Sequence, residues 1–186
     1  MKKLLFFATI GIILSACSNS GNKTQSADQG SQNEIVITND MENAMSVIPS
    51  WQNEHTVIAM KEPKAHSGDY ACVTNDTLEF SYMYKELFKN LRNGTPKMVT
   101  YSGWAYTTVA NPNFAIICNI NADTLRYDWK AFPLDKNLSE TGKWVEFSTS
   151  FTFEKPLKPE YEIGLVAWNQ SKKPVYIDDL KITFTY

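Results

Sequence analysis

Three hydropathy patterns follow one another along this chain. Residues 4–14 form an almost unbroken apolar run preceded by Lys2 and Lys3. Residues 18–33 are polar apart from Ala27. From Glu34 onward apolar residues return, in short stretches where polar and apolar positions alternate. The first run is too short to span a bilayer, which takes about 20 apolar residues. With its basic front it reads as the hydrophobic region of an export signal. The second stretch cannot bury enough surface to offset its ordering entropy, which predicts a flexible tether. The third predicts strands, because successive side chains of a strand point to opposite faces.

Residues 99–109 (VTYSGWAYTTV), 114–122 (FAIICNINA), 144–153 (WVEFSTSFTF), 161–168 (YEIGLVAW) and 175–186 (VYIDDLKITFTY) are rich in β-branched and aromatic residues. In 144–153, Val145, Phe147, Thr149, Phe151 and Phe153 share one face, while Glu146, Ser148, Ser150 and Thr152 share the other. Turn signals separate these stretches: Asn93-Gly94, Asn111-Pro112-Asn113, Thr141-Gly142, Pro156 to Pro159 and Ser171 to Pro174. Earlier strand candidates are 34–38, 56–60, 70–74 and 78–84, and 85–91 reads as a short helical turn with Leu87 and Leu91 four apart. Nine short strands with regular turns predict an all-β fold, a two-sheet antiparallel β-sandwich over residues 34–186. That length suits one domain with a full core.

The apolar run ends in Leu14-Ser15-Ala16-Cys17. This resembles the lipobox of bacterial lipoproteins and implies a signal peptide over 1–16, cleavage before Cys17, lipid on that cysteine and a tether over 17–33. A mature chain carrying two or three acyl chains stays anchored, each buried CH₂ contributing roughly 0.8 kcal/mol. Ser18-Asn19 places no aspartate at the inner-membrane retention position, so in a Gram-negative cell the outer membrane is expected. Removing Lys2 and Lys3 takes the formal charge from −2 to −4, which argues against nucleic-acid binding. Cys72 and Cys118 remain; in an oxidising compartment they could pair, or stay buried as thiols in their apolar surroundings.

Five motifs carry a further resemblance. Asn39-Asp40-Met41-Glu42 followed by Trp51, His66-Ser67-Gly68-Asp69-Tyr70, Tyr101-Ser102-Gly103-Trp104-Ala105, Gly142-Lys143-Trp144 and Tyr176-Ile177-Asp178-Asp179-Leu180 stand in order over residues 39–186. They resemble the galactose-binding-like jelly-roll modules, particularly the cellulase-associated carbohydrate-binding group. The resemblance implies that Trp51 and Trp144 pack the core. It also implies a structural calcium ion held by Glu42, His66, Ser67, Asp69 and Asp178, the turn giving mainly backbone oxygens, as a hard six- to eight-coordinate cation requires. A glycan partner would stack on aromatic rings. Arg126-Tyr127-Asp128-Trp129-Lys130 alternates charge with aromatics, the pattern of a half-exposed strand, and Trp168 precedes Asn169 and Gln170 at a strand end. The expected contacts are Trp129, Tyr127 and Trp168, with Arg126 and Asn169 as hydrogen-bonding partners. Trp104 and Tyr106 share one strand face, which parity alone does not assign to core or surface. His55 and His66 are the only histidines, and no nucleophile elbow, zinc helix or phosphate loop occurs. A non-catalytic glycan-binding module is therefore expected. The alternatives are an envelope adaptor binding a protein partner, and a small glycoside hydrolase or lyase built on two carboxylates.

Overall fold

The computed structural model describes residues 33–44, 46 and 48–186. The predicted signal peptide, Cys17 and the tether up to residue 32 lie outside them. Among the described residues, eleven strands build two antiparallel sheets that face each other across one core. Strands β1 (Glu34–Asn39), β3 (Val57–Ala59), β4 (Tyr70–Thr74), β6 (Met98–Thr107), β9 (Trp144–Thr152) and β11 (Val175–Thr185) form a six-stranded sheet. Its order is β3-β4-β11-β6-β9, and β1 pairs the second half of β11 where β4 pairs the first. The five-stranded sheet runs β2 (Trp51–Gln52), β5 (Met83–Leu87), β10 (Glu162–Asn169), β7 (Phe114–Ala122) and β8 (Leu125–Pro133). Among the described residues, no helix is long and apolar enough to cross a membrane.

Period-two alternation builds the core. Phe147, Thr149 and Phe151 of β9 are buried while Glu146, Ser148, Ser150 and Thr152 are exposed. Val99, Tyr101 and Ala105 of β6 face Phe114, Ile116, Cys118 and Ile120 of β7 and Ile163, Leu165 and Ala167 of β10 within the same cluster. The segment expected to turn helically is divided: Lys85 to Leu87 complete strand β5, and Phe88–Leu91 forms the short helix α1. Pairing decides this, since Tyr84 lies opposite both Leu165 and Trp51 and is buried between them. Cys72 and Cys118 are both buried free thiols.

Trp51 packs the core as expected, stacked on Tyr82 at 5.1 Å. Trp144 does not. It pairs with Tyr106 across β6–β9, on the outer face of the six-stranded sheet. There the loop from Met60 to Asp69 folds back over that face: Trp144 Nε1 donates to the Lys64 carbonyl at 3.0 Å, and the His66 ring stacks on Trp104 at 4.0 Å. Trp104 and Tyr106 therefore point away from the core, half-buried under a loop and beside Trp144 and Tyr176.

Candidate binding face

The outer face of the five-stranded sheet is assembled by register. On β10, Ile163, Leu165, Ala167 and Asn169 point into the core, so Glu162, Gly164, Val166 and Trp168 point outward. On β7 the outward residues are Ala115, Ile117, Asn119 and Asn121. Pairing aligns them into four rungs that continue onto β8: Trp168-Ala115-Pro133, Val166-Ile117-Ala131, Gly164-Asn119-Trp129 and Glu162-Asn121-Arg126. On the other side Lys85 of β5 extends the third rung, and Phe80 bridges to Trp168. Ile117 and Val166 are only 4% and 5% exposed although they face outward, so the larger side chains around them shelter an apolar floor.

A directed row of hydrogen bonds crosses one half of this face. Lys85 Nζ pairs with Glu162 Oε1 at 3.0 Å, and Asn121 Nδ2 donates to the same oxygen at 3.4 Å. Asn119 Nδ2 donates to Asn121 Oδ1 at 2.9 Å. An ionised carboxylate only accepts, so Glu162 sets the orientation of both amides in turn. The row ends on Asn119 Oδ1, a buried acceptor without a partner among the described residues, and Trp168 Nε1 is a buried donor in the same condition. Orphaned buried polar atoms are uncommon and call for an explanation. Six such atoms occur among the described residues; Trp51 Nε1, Tyr101 Oη, Thr149 Oγ1 and Tyr186 Oη lie elsewhere, and these two belong to side chains on one face.

Of the residues expected from sequence, this face brings together Trp129, Trp168 and Arg126. Trp129 stands at the free edge, 42% exposed. Trp168 stacks on Phe80 at 6.0 Å with ring planes 11° apart. Arg126 is exposed beside Asn121. Tyr127 is held elsewhere: a register shift between Ile120 and Asn121 drops it from the ladder. Its hydroxyl donates to the Pro156 carbonyl at 2.7 Å, and its ring packs on Tyr161 at 4.7 Å. Asn169 is a correction. As the next residue after Trp168 it points to the opposite side, is fully buried, and donates to Thr74 Oγ1 and the Lys173 carbonyl at 3.1 and 2.8 Å. A side chain sealed in the core and committed to the β10–β11 turn does not meet a surface ligand. Sequence reasoning missed Asn119, Asn121, Glu162, Lys85, Phe80 and Gly164. One signal was present, two asparagines at alternate positions of an otherwise apolar strand.

The five residues expected around calcium gather at the 66–70 turn, with the roles of the backbone reversed. Glu42 Oε1 accepts the N–H groups of Asp69 and Tyr70, each at 2.9 Å. Asp178 Oδ2 accepts Ser67 N–H at 3.1 Å and its Oδ1 accepts Asp179 N–H at 2.7 Å. His66 Nδ1 meets Asp179 Oδ2 at 2.6 Å, and Ser67 Oγ donates to Asp179 Oδ1 at 2.7 Å. The turn thus shows amide hydrogens, where carbonyl oxygens were expected, to Glu42 and Asp178, and the Asp69 residue is exposed. No three His, Cys, Asp or Glu side chains converge to hold a metal among the described residues. Asp178 is nonetheless a buried carboxylate beside the charge of Asp179. Burial pushes its carboxyl up to about 6, against the lowering effect of the Ser67 and Asp179 N–H groups.

No protein-family model and no curated protein matches the chain. Solved structures do. The CBM22-2 xylan-binding domain of Paenibacillus barcinonensis Xyn10C is similar with a TM-score of 0.47 and 16% identity, over 80% of this chain and 98% of that one. The CBM22-1–GH10 modules of Clostridium thermocellum xylanase 10B, complexed with xylohexaose, give 0.45 and 14%, over 74% of this chain and 26% of that one. A family 16 carbohydrate-binding module gives 0.41 and 16%, over 71% and 89%. The two-sheet antiparallel sandwich and the site both rest on this chain's own strands and side chains as described above.

Proposed function

We propose that this chain is a lipid-anchored, non-catalytic glycan-binding protein that holds a saccharide across the outer face of its five-stranded sheet. The carrying observation is the pairing of apolar platforms with orphaned polar atoms on one face. Trp129 stands at one edge and the Trp168–Phe80 stack near the other, with Asn119 Oδ1 and Trp168 Nε1 unpartnered. Sugar rings offer C–H faces that stack on such rings, and hydroxyls that both donate and accept. Of the side chains on the four rungs, Glu162 is the one carboxylate, and it is ion-paired with Lys85. Glycoside hydrolysis takes two carboxyl groups flanking the bond, so binding fits this face better than cleavage. Cys17 supplies the anchor in this reading, and the outer membrane is its place in a Gram-negative envelope. The structural calcium ion implied by the resemblance stays part of the proposal on one condition: it would displace the 66–70 amide hydrogens from Glu42 and Asp178 and take those carboxylates together with oxygens of the turn.

A second reading draws on β8 itself. This free edge exposes Leu125, Trp129 and Phe132, which suits an envelope protein partner. Affinity electrophoresis of the full chain through gels containing xylan, β-glucan, mannan or pectin separates the two. Retardation by a polysaccharide that is lost in Trp129→Ala and weakened in Trp168→Ala is the expected outcome. Unretarded migration in every gel would remove the glycan reading and leave the protein partner.

A further inference from the structure

Glycine in the middle of a central strand is a weak choice, since it contributes no packing and loses more chain entropy than other residues. Gly164 occupies that position in β10, paired with β5 on one side and β7 on the other. The other glycines within the described residues have reasons inside the fold. Gly68, Gly94 and Gly142 adopt positive φ, and a Cβ on Gly103 would lie 3.0 Å from the Asp178 carbonyl. Gly164 has neither reason. Its φ is not in the left-handed region, no register shift interrupts either of its ladders, and an added Cβ would find its nearest atoms, the Asn119 carbonyl oxygen and Lys85 Cγ, at 3.9 Å. That is ordinary van der Waals distance, so the fold has room for alanine. Besides bulges, bends and close contacts between backbones, strand glycines often mark sites where a ligand approaches closely.

Its surroundings say what that ligand offers. Gly164 is itself buried and lies between Lys85 and Asn119 in the rung that ends at Trp129, so the missing side chain leaves a small notch, with room for a Cβ, beside Asn119. Glu162 fixes the direction of the amide row, and the group left over at the notch is an acceptor, Asn119 Oδ1. We infer that Gly164 and Asn119 form the specificity-determining point of the face: a sugar ring stacked toward Trp129 sits over Gly164 and donates a hydroxyl hydrogen to Asn119 Oδ1. This rests on the glycan reading and adds to it a residue-level requirement, a ligand hydroxyl in the donor role at that rung. A ligand lacking a donor there leaves the acceptor buried and unpaired, which is where such sites gain their discrimination.

The test uses the full chain and whichever of xylan, β-glucan, mannan or pectin retards it, with Gly164→Ala, Asn119→Leu and Trp129→Ala beside the wild type. Gly164→Ala is expected to melt at or above the wild-type temperature, since alanine at a compatible site restricts the unfolded chain, while its affinity falls about tenfold or more. Asn119→Leu is expected to lose a similar factor, roughly the cost of one buried hydrogen bond to the ligand. Wild-type retardation with Gly164→Ala and Asn119→Leu both binding as well as wild type would overturn this inference and leave the glycan reading standing. Absence of retardation for the wild type in all four gels overturns both. Should Gly164→Ala melt well below wild type, the room assigned to its Cβ is wrong and the notch falls with it.

Discussion

Replacing Gly68 with alanine tests how the 66–70 turn is locked to the start of the sandwich. Gly68 has φ +56, and a Cβ there would lie 2.3 Å from Glu42 Oε1 and 2.4 Å from its carboxyl carbon. Two costs follow. An L-residue in the left-handed region loses about 1 kcal/mol relative to glycine. Glu42 must also swing away, giving up the N–H groups of Asp69 and Tyr70. A hydrogen bond to a charged acceptor contributes about 1.5–3 kcal/mol, and partial exposure reduces this, so the pair is worth about 2 kcal/mol. The sum is about 3 kcal/mol, or roughly 10 °C in melting temperature for a domain of this size. Gly142 is the control: its φ is +75, but nothing lies within 4 Å of its added Cβ. Gly142→Ala should lose only the backbone contribution, about 1 kcal/mol or 3 °C. Thermal and urea unfolding of both variants, followed by far-ultraviolet circular dichroism with chelator present, gives the comparison. In a Glu42→Ala background, Gly68→Ala should cost no more than Gly142→Ala, because the clash has gone. If Gly68→Ala is no worse than Gly142→Ala in the wild-type background, or its cost is unchanged without Glu42, the latch assigned to Glu42 is refuted.

Three further expectations concern buried groups. Burial pushes the Cys72 thiol up to about 11 and the Cys118 thiol up to about 12, so both should resist a thiol reagent at pH 8 until denaturant is added; rapid labelling of the folded chain would contradict their placement. Asp178 has a folded pKa near 6, above the usual carboxylate value, so its protonated form is favoured by folding. The stability this contributes is complete below about pH 4 and lost as pH rises through 6, about 2–3 kcal/mol from this group. With chelator present, the unfolding free energy of the wild type should therefore fall more between pH 4 and 7 than that of Asp178→Asn, and parallel profiles would refute the assignment. Without chelator, calcium addition should raise the melting temperature and chelation lower it, since a bound ion stabilises by RT ln(1 + [L]/Kd); indifference to both, with no calcium by elemental analysis, removes the ion.

Much of the sandwich was legible because a strand's period is local. Val145 through Phe153 divided the β9 stretch into an apolar and a polar face, and the same parity placed Trp168 and Asn169 on opposite faces, so the error of grouping them lay in neglecting alternation. Other outcomes, including the face of Trp104 that parity left open, had non-local causes. Trp144 and Trp104 are as apolar as any core residue, yet they lie outside because the 60–69 loop returns to cover them. Tyr127 shares the parity of Trp129, but a register shift takes it off the ladder and onto Tyr161. Parity reports two faces without saying which meets the other sheet, and a bulge changes parity without leaving a strong local mark.

By itself the sequence predicts an export-like leader and a polar tether, which lie outside the described residues, and it determined the β class and the apolar and polar faces of the β9 stretch. Each depends on the composition or periodicity of a short contiguous stretch. Only the tertiary structure decided that Trp129, Asn119, Gly164 and Lys85 form one rung, although they come from four strands between residues 83 and 169. That rung exists through register between strands distant in the chain, and register is a property of the whole sheet.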